Sequence, residues 1–84
     1  MSRKMQETRV VVYTGQGCQL CAAALEVVAA ECGEDFTTID ITGDAELERV
    51  YRESIPVIEI DGVRAFTYFV QPEALRDRLG ERLR

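Results

Sequence analysis

Cys18-Gln19-Leu20-Cys21 holds the residues of this sequence best suited to chemistry. Two thiols at this spacing can close on each other as a disulfide, and a thiolate among them can attack a disulfide elsewhere. The same pair can supply half of a zinc site, or it can pack as two small core residues. The chain has three cysteines and no histidine, so four zinc ligands would require a second chain or unusual donors. An odd cysteine count without a secretion signal does not read as a disulfide framework. In a reducing compartment, a close pair points to catalysis, redox sensing or metal binding rather than to a structural bridge. The third cysteine, Cys32, ends an apolar helical stripe and reads as a small core residue.

The neighbouring elements must put these sulfurs somewhere useful. Val10-Val11-Val12-Tyr13-Thr14 is a β-branched run that predicts a central strand buried on both faces. Gly15-Gln16-Gly17 breaks it as a loop. From Cys18 a helix is expected, with Cys21, Leu25, Val28, Ala29 and Cys32 on its apolar face and Gly33 as its stop. Phe36 to Ile41 reads as a second strand. A short helix opens at Thr42-Gly43-Asp44 and buries Leu47, Val50 and Tyr51. Val57 to Ile60 is a third strand, Asp61-Gly62 a hairpin turn, and Val63 to Phe69 a returning fourth strand. Pro72 begins a last helix with Leu75, Leu79 and Leu83 inside and Arg78, Arg82 and Arg84 toward its negative end. The order is β-α-β-α-β-β-α. A right-handed crossover makes the first two strands parallel, and helices must cover both faces of the four-stranded mixed sheet.

A cysteine at the start of a helix meets unsatisfied N–H groups and a partial positive charge. Cys18 is therefore expected as the exposed nucleophile, its thiolate favoured by the helix end. Cys21, one turn on, is expected as the resolving thiol. No Lys, Arg or His adjoins Cys18, so the helix end must supply most of the activation. Ile55-Pro56 falls between the second helix and the hairpin, where a cis proline would face the thiols. There the Ile55 N–H and C=O would be turned outward to pair with an extended substrate. Gln19, Leu20, Ile55 and Pro56 are the expected substrate-binding residues.

Composition narrows the partners. The chain has 84 residues, with 10 Lys plus Arg against 15 Asp plus Glu, for a net charge of −5. That suits one domain and opposes binding to nucleic acid or to anionic membranes. No apolar run reaches a membrane-spanning length, and the start has no apolar signal segment, so a cytoplasmic location is expected. Residues 1–9 are expected as a flexible end and residues 10–84 as a single domain.

Taken in order, Val12-Tyr13-Thr14-Gly15-Gln16-Gly17-Cys18-Gln19-Leu20-Cys21, Asp40-Ile41 with Glu46-Leu47 and Tyr51, and Ile55-Pro56-Val57 with Ile60-Asp61-Gly62 resemble the glutaredoxin-like branch of the thioredoxin superfamily. The likeness is to its short bacterial domains and covers nearly the whole chain after Arg9. The resemblance implies a thioredoxin-like α/β fold, a nucleophilic Cys18, a resolving Cys21 and a cis Pro56. It implies a thiol–disulfide oxidoreductase acting on a disulfide-containing protein or a glutathione mixed disulfide, with an outside electron donor. A monomer with no bound cofactor or metal is expected. Three departures stand out. Gln19 and Leu20 replace the usual Pro and aromatic between the cysteines. Gly15-Gln16-Gly17 lacks the basic residue common before the first cysteine. Phe69-Val70-Gln71-Pro72 replaces the Gly-Gly-Asp turn that binds glutathione, which weighs against glutathione as reductant. A second reading keeps the fold but makes it a non-enzymatic module that holds a metal or a protein partner at the same surface.

Overall fold

Three consecutive valines, a tyrosine and a threonine form the first strand, β1, over Val10–Thr14. The computed structural model of the chain describes residues 10–81. The expectations for residues 1–9, Arg82, Leu83 and Arg84 lie outside the described residues. After β1 come helix α1 at Gln19–Cys32, strand β2 at Thr37–Asp40 and helix α2 at Ala45–Tyr51. Strands β3 at Val57–Ile60 and β4 at Val63–Thr67 follow, and helix α3 at Pro72–Glu81 closes the order.

The sheet runs β2-β1-β3-β4. β1 pairs parallel with β2 and antiparallel with β3, which pairs antiparallel with β4. The β3–β4 turn is Asp61-Gly62, both in the left-handed region at φ 56° and 82°. An Asp-Gly pair tolerates that backbone better than most, and such a turn matches the twist of the strands. A bulge at Ile58/Glu59 sets Phe66 opposite Ile58 and Arg64 opposite Glu59, leaving Ala65 as the extra residue.

The pleat divides the strands into two faces. Val10 and Val12 pair with Ile60 and Ile58, and all four pack with Ala24 and Val28 of α1 and Leu75 of α3 in the main core. Each such fully buried aliphatic side chain contributes about 1.5–3 kcal/mol. Outside this core Arg76 forks onto Glu31, 3.0 and 2.8 Å away, and ties α3 to α1. The opposite face carries Tyr13, which stacks on Tyr51 of α2 with ring centroids 4.1 Å apart. A smaller core of Cys21, Ile41 and Ile55 forms there, with Leu47, Tyr13 and Tyr51 against it. No described helix is long and apolar enough to cross a membrane.

Several expected details shift. On α1 the buried residues are Cys21, Ala24 and Val28, while Ala29 faces solvent. Ala24 and Ala29 both satisfy helical spacing, and it is the sheet that selects between them. Val50 is exposed, because α2 meets the sheet only through Leu47 and Tyr51. β2 begins one residue after Phe36, and β4 ends at Thr67, where Tyr68 turns to φ 66°. Cys32 is half-buried against the main core rather than enclosed by it.

Candidate active site

The C-terminal end of β1 delivers the chain into Gly15–Gly17, and α1 begins directly after Cys18. Cys18 is the N-cap of α1, with extended backbone at φ −96° and ψ 104°. Its Sγ accepts a hydrogen bond from the Cys21 N–H at 3.1 Å. A sulfur thus occupies the capping place that Ser, Thr or Asp more often fills. Cys18 and Cys21 are joined as a disulfide, with Cα atoms 5.2 Å apart. The two sulfurs are not equivalent. Cys21 is buried, whereas Cys18 is half-buried at the edge of the smaller core. Gln19 and Leu20 between them are both exposed.

The loop before Cys18 is held from two sides. The Gln16 N–H donates to Thr42 Oγ1 at 2.9 Å, and the Thr42 N–H donates to Asp40 Oδ1 at 2.9 Å. That bond from the Thr42 backbone is the main reason the Asp40 carboxyl sits below its ordinary value, and a second hydrogen bond from the Thr42 side chain adds to it. On the other side, a Cβ on Gly15 would come within 2.8 Å of Ile55 Cδ1. Gly15 therefore lets the cysteine loop lie directly on Ile55. Thr42 and Gly15 were not singled out from sequence. Gly15 is legible as a loop glycine, but Thr42 acts across 26 residues and leaves no local signal.

Ile55 and Pro56 reach the site from α2. Both are buried, and the Ile55–Pro56 peptide is cis. The expected outward pairing of Ile55 needs correction. Its N–H donates to the Tyr51 carbonyl at 3.1 Å, beside a second bond from the Ser54 N–H at 2.8 Å. The end of α2 has carbonyls in need of donors, and this loop supplies them. The Ile55 N–H is therefore already committed within the chain.

Tyr68, at the end of β4, clamps the same loop. Its N–H donates to the Pro56 carbonyl at 2.9 Å, and its hydroxyl donates to the Glu53 carbonyl at 2.6 Å. An aromatic residue at positive φ costs about 1–3 kcal/mol and persists only when its surroundings enforce it. These two bonds do so. Phe69 follows, its N–H turned back on the Thr67 carbonyl at 2.6 Å, with its side chain 67% exposed.

Beneath the loops lies a carboxylate–phenol cluster. Glu59 accepts from the Tyr51 hydroxyl at 3.1 Å and from the Tyr13 hydroxyl at 3.5 Å. The Arg64 guanidinium lies 5.5 Å from the centre of the Tyr51 ring. Burial, reinforced by the bonds to Tyr13 and Glu59 and by the Glu59 charge, pushes the Tyr51 hydroxyl up to about 12. Among the described residues, no three His, Cys, Asp or Glu side chains gather as metal ligands would. Cys32 lies at the far end of β1 and α1, where it lines a cleft with Val10, Glu31, Asp35 and Leu79.

A four-stranded mixed sheet with a cysteine pair at the first helix start, packed on the residue before a cis proline that precedes β3, defines a thioredoxin-like fold. The chain belongs to the Glutaredoxin-like domain (DUF836) family, whose model matches residues 9–83. The crystal structure of XcR50 from X. campestris is similar at 28% identity and a TM-score of 0.74, over 86% of this chain and 96% of that one. Protein Ne2328 from Nitrosomonas europaea shares 25% identity at a TM-score of 0.61, over 93% and 98% of the two chains. Oxidized glutaredoxin 2 from Chlamydomonas reinhardtii shares the fold, at 18% identity and a TM-score of 0.64, over 89% of this chain and 78% of its own. No curated protein matches the chain significantly.

Proposed function

We propose that the protein is a thiol–disulfide oxidoreductase that works through Cys18 and Cys21. The observation that carries this reading is the placement of the pair. Cys18 sits at the mouth of α1 with an N–H aimed at its sulfur, and Cys21 is buried within bonding reach. The family membership supports it.

The steps follow from that asymmetry. In the reduced protein the Cys18 thiolate is stabilised by the Cys21 N–H and the positive end of the helix. It attacks one sulfur of a substrate disulfide. A Cys18–substrate bond forms, the substrate S–S bond breaks, and the other substrate sulfur leaves as a thiolate that takes a proton from water. Cys21 then loses its proton and attacks Cys18 Sγ. The Cys18–Cys21 bond forms as the second substrate thiolate departs. Two electrons have passed to the substrate, and an external thiol or dithiol donor returns them by the reverse sequence.

Gln19, Leu20, Ile55 and Pro56 bound the approach to Cys18. The Ile55 and Pro56 side chains are buried, so what they offer a substrate is backbone, through the Ile55 carbonyl, since the Ile55 N–H is already used.

The test is turnover of a disulfide substrate by wild type, Cys18→Ser and Cys21→Ser under a thiol donor. Cys18→Ser should lose all activity above the free-dithiol background. Cys21→Ser should accumulate a mixed disulfide on Cys18, visible as a mass increase reversed by dithiothreitol. Exchange in wild type no faster than with dithiothreitol alone would remove the enzymatic reading.

A further inference from the structure

The reading of Cys18 and Cys21 as an exchange pair leaves the class of disulfide open, and the inference here rests on that reading. From the surface around the pair we infer that the substrate is a protein segment, neutral or basic, with an apolar residue beside its disulfide cysteine.

Three features carry the argument. The first is an exposed apolar rim. Leu20 is 38% exposed between the cysteines, and Phe69 is 67% exposed one residue after the clamp on Pro56. The two are joined from beneath, since buried Ile55 packs with Cys18 and Cys21 and precedes Pro56, whose carbonyl accepts the Tyr68 N–H. A large aromatic held out in solvent on a fixed backbone is what interfaces use as an anchor. The Tyr68 bonds to Pro56 and Glu53 provide that fixed backbone, so Phe69 is displayed in advance of binding.

The second feature is charge. The loops that surround the pair, Gly15–Gly17, Ser54–Pro56 and Tyr68–Gln71, contain no Lys or Arg. Arg49, Arg52 and Arg76 are paired with Glu46, Glu48 and Glu31, and Arg64 lies over Tyr51. Glutathione carries two carboxylates, which need cations or a run of N–H donors to receive them. The third feature is that acidic residues adjoin two of these loops: Glu53 directly precedes Ser54 and its carbonyl accepts from Tyr68, and Glu73 follows Gln71 in the first turn of α3. An apolar centre with an acidic border complements an apolar residue flanked by neutral or basic ones.

The experiment compares kcat/KM on two disulfides for the full chain. One is a synthetic peptide disulfide with Leu beside each cysteine and Lys further out. The other is glutathione disulfide, with hydroxyethyl disulfide as the reference that reads thiol chemistry alone. Wild type should favour the peptide over glutathione disulfide by about tenfold or more, as expected when a partly exposed aromatic becomes buried. Phe69→Ser should lower the peptide-to-reference ratio about tenfold through KM, and Phe69→Leu should restore most of it. Val63→Ser, at an exposed apolar position on the hairpin, should leave that ratio where wild type has it.

A wild-type preference for glutathione disulfide, or a ratio insensitive to Phe69→Ser, overturns the inference while leaving exchange intact. So does self-association that Phe69→Ser abolishes without any peptide preference, since that assigns the rim to a second copy. No turnover of any of the three disulfides overturns the exchange reading itself.

Discussion

Tyr51 joins three parts of the molecule: its ring stacks on Tyr13, its hydroxyl donates to Glu59, and its carbonyl receives the Ile55 N–H. The phenol is neutral in the fold and held there by burial and by the adjacent carboxylate. Its value is raised from 10.0 to about 12, so the stability it contributes is in full force below pH 10 and is lost as pH rises toward 12. An alkaline absorbance titration should show one tyrosine that ionises late, and Tyr51→Phe should delete that late step. If no tyrosine ionises late in the folded protein, the described contact with Glu59 does not hold. At this scale the sequence was legible where residue types are chemically rare. Two cysteines at the start of a helix announce themselves. Thr42 and Tyr68 do not, because a hydroxyl that pins a distant loop and an aromatic forced to positive φ owe their roles to contacts made only after folding.

Among the elements, α2 is the one with least to hold it. It has seven residues and no buried side chain, yet it places Ile55 beside Cys18. Much of its start depends on Asp44, whose carboxylate accepts the N–H groups of Glu46 and Leu47, each at 3.1 Å. Asp44→Ala should lower the stability measured by urea denaturation by about 1 kcal/mol, the usual cost of losing such a cap. A midpoint equal to that of wild type would show that packing alone defines the helix. The elements themselves were readable from periodicity, capping residues and the Asp61-Gly62 turn. Their faces were less so. α1 offers alanines at 22, 23, 24, 29 and 30, and hydrophobic spacing cannot say which of them meets the sheet. The bulge at Ile58/Glu59 was hidden for a related reason, since Ala65 and Phe66 both suit a strand and only the pairing shows which is the extra residue.

Over the whole molecule, the parallel first pair and the antiparallel last pair of strands followed from one right-handed crossover and one hairpin, both local signals, whereas the placing of β1 beside β3 did not. Nor did the meeting of the Gly15, Ile55 and Tyr68 loops, which are far apart in the chain. The disulfide closes a ring between residues only three apart in sequence. By the chain-entropy account so small a ring is worth about 2 kcal/mol, well below what a bridge across a whole domain provides. The reduced protein should therefore unfold cooperatively, with stability within about 2 kcal/mol of the oxidised form, as urea denaturation with and without reductant would measure. A reduced form without a cooperative transition would contradict this. Because the ring is so small, gaining or losing two electrons need leave almost no mark on the outline of the protein. Any partner that must tell the charged state from the spent one has to do so at the tip of one helix, by touch rather than by shape.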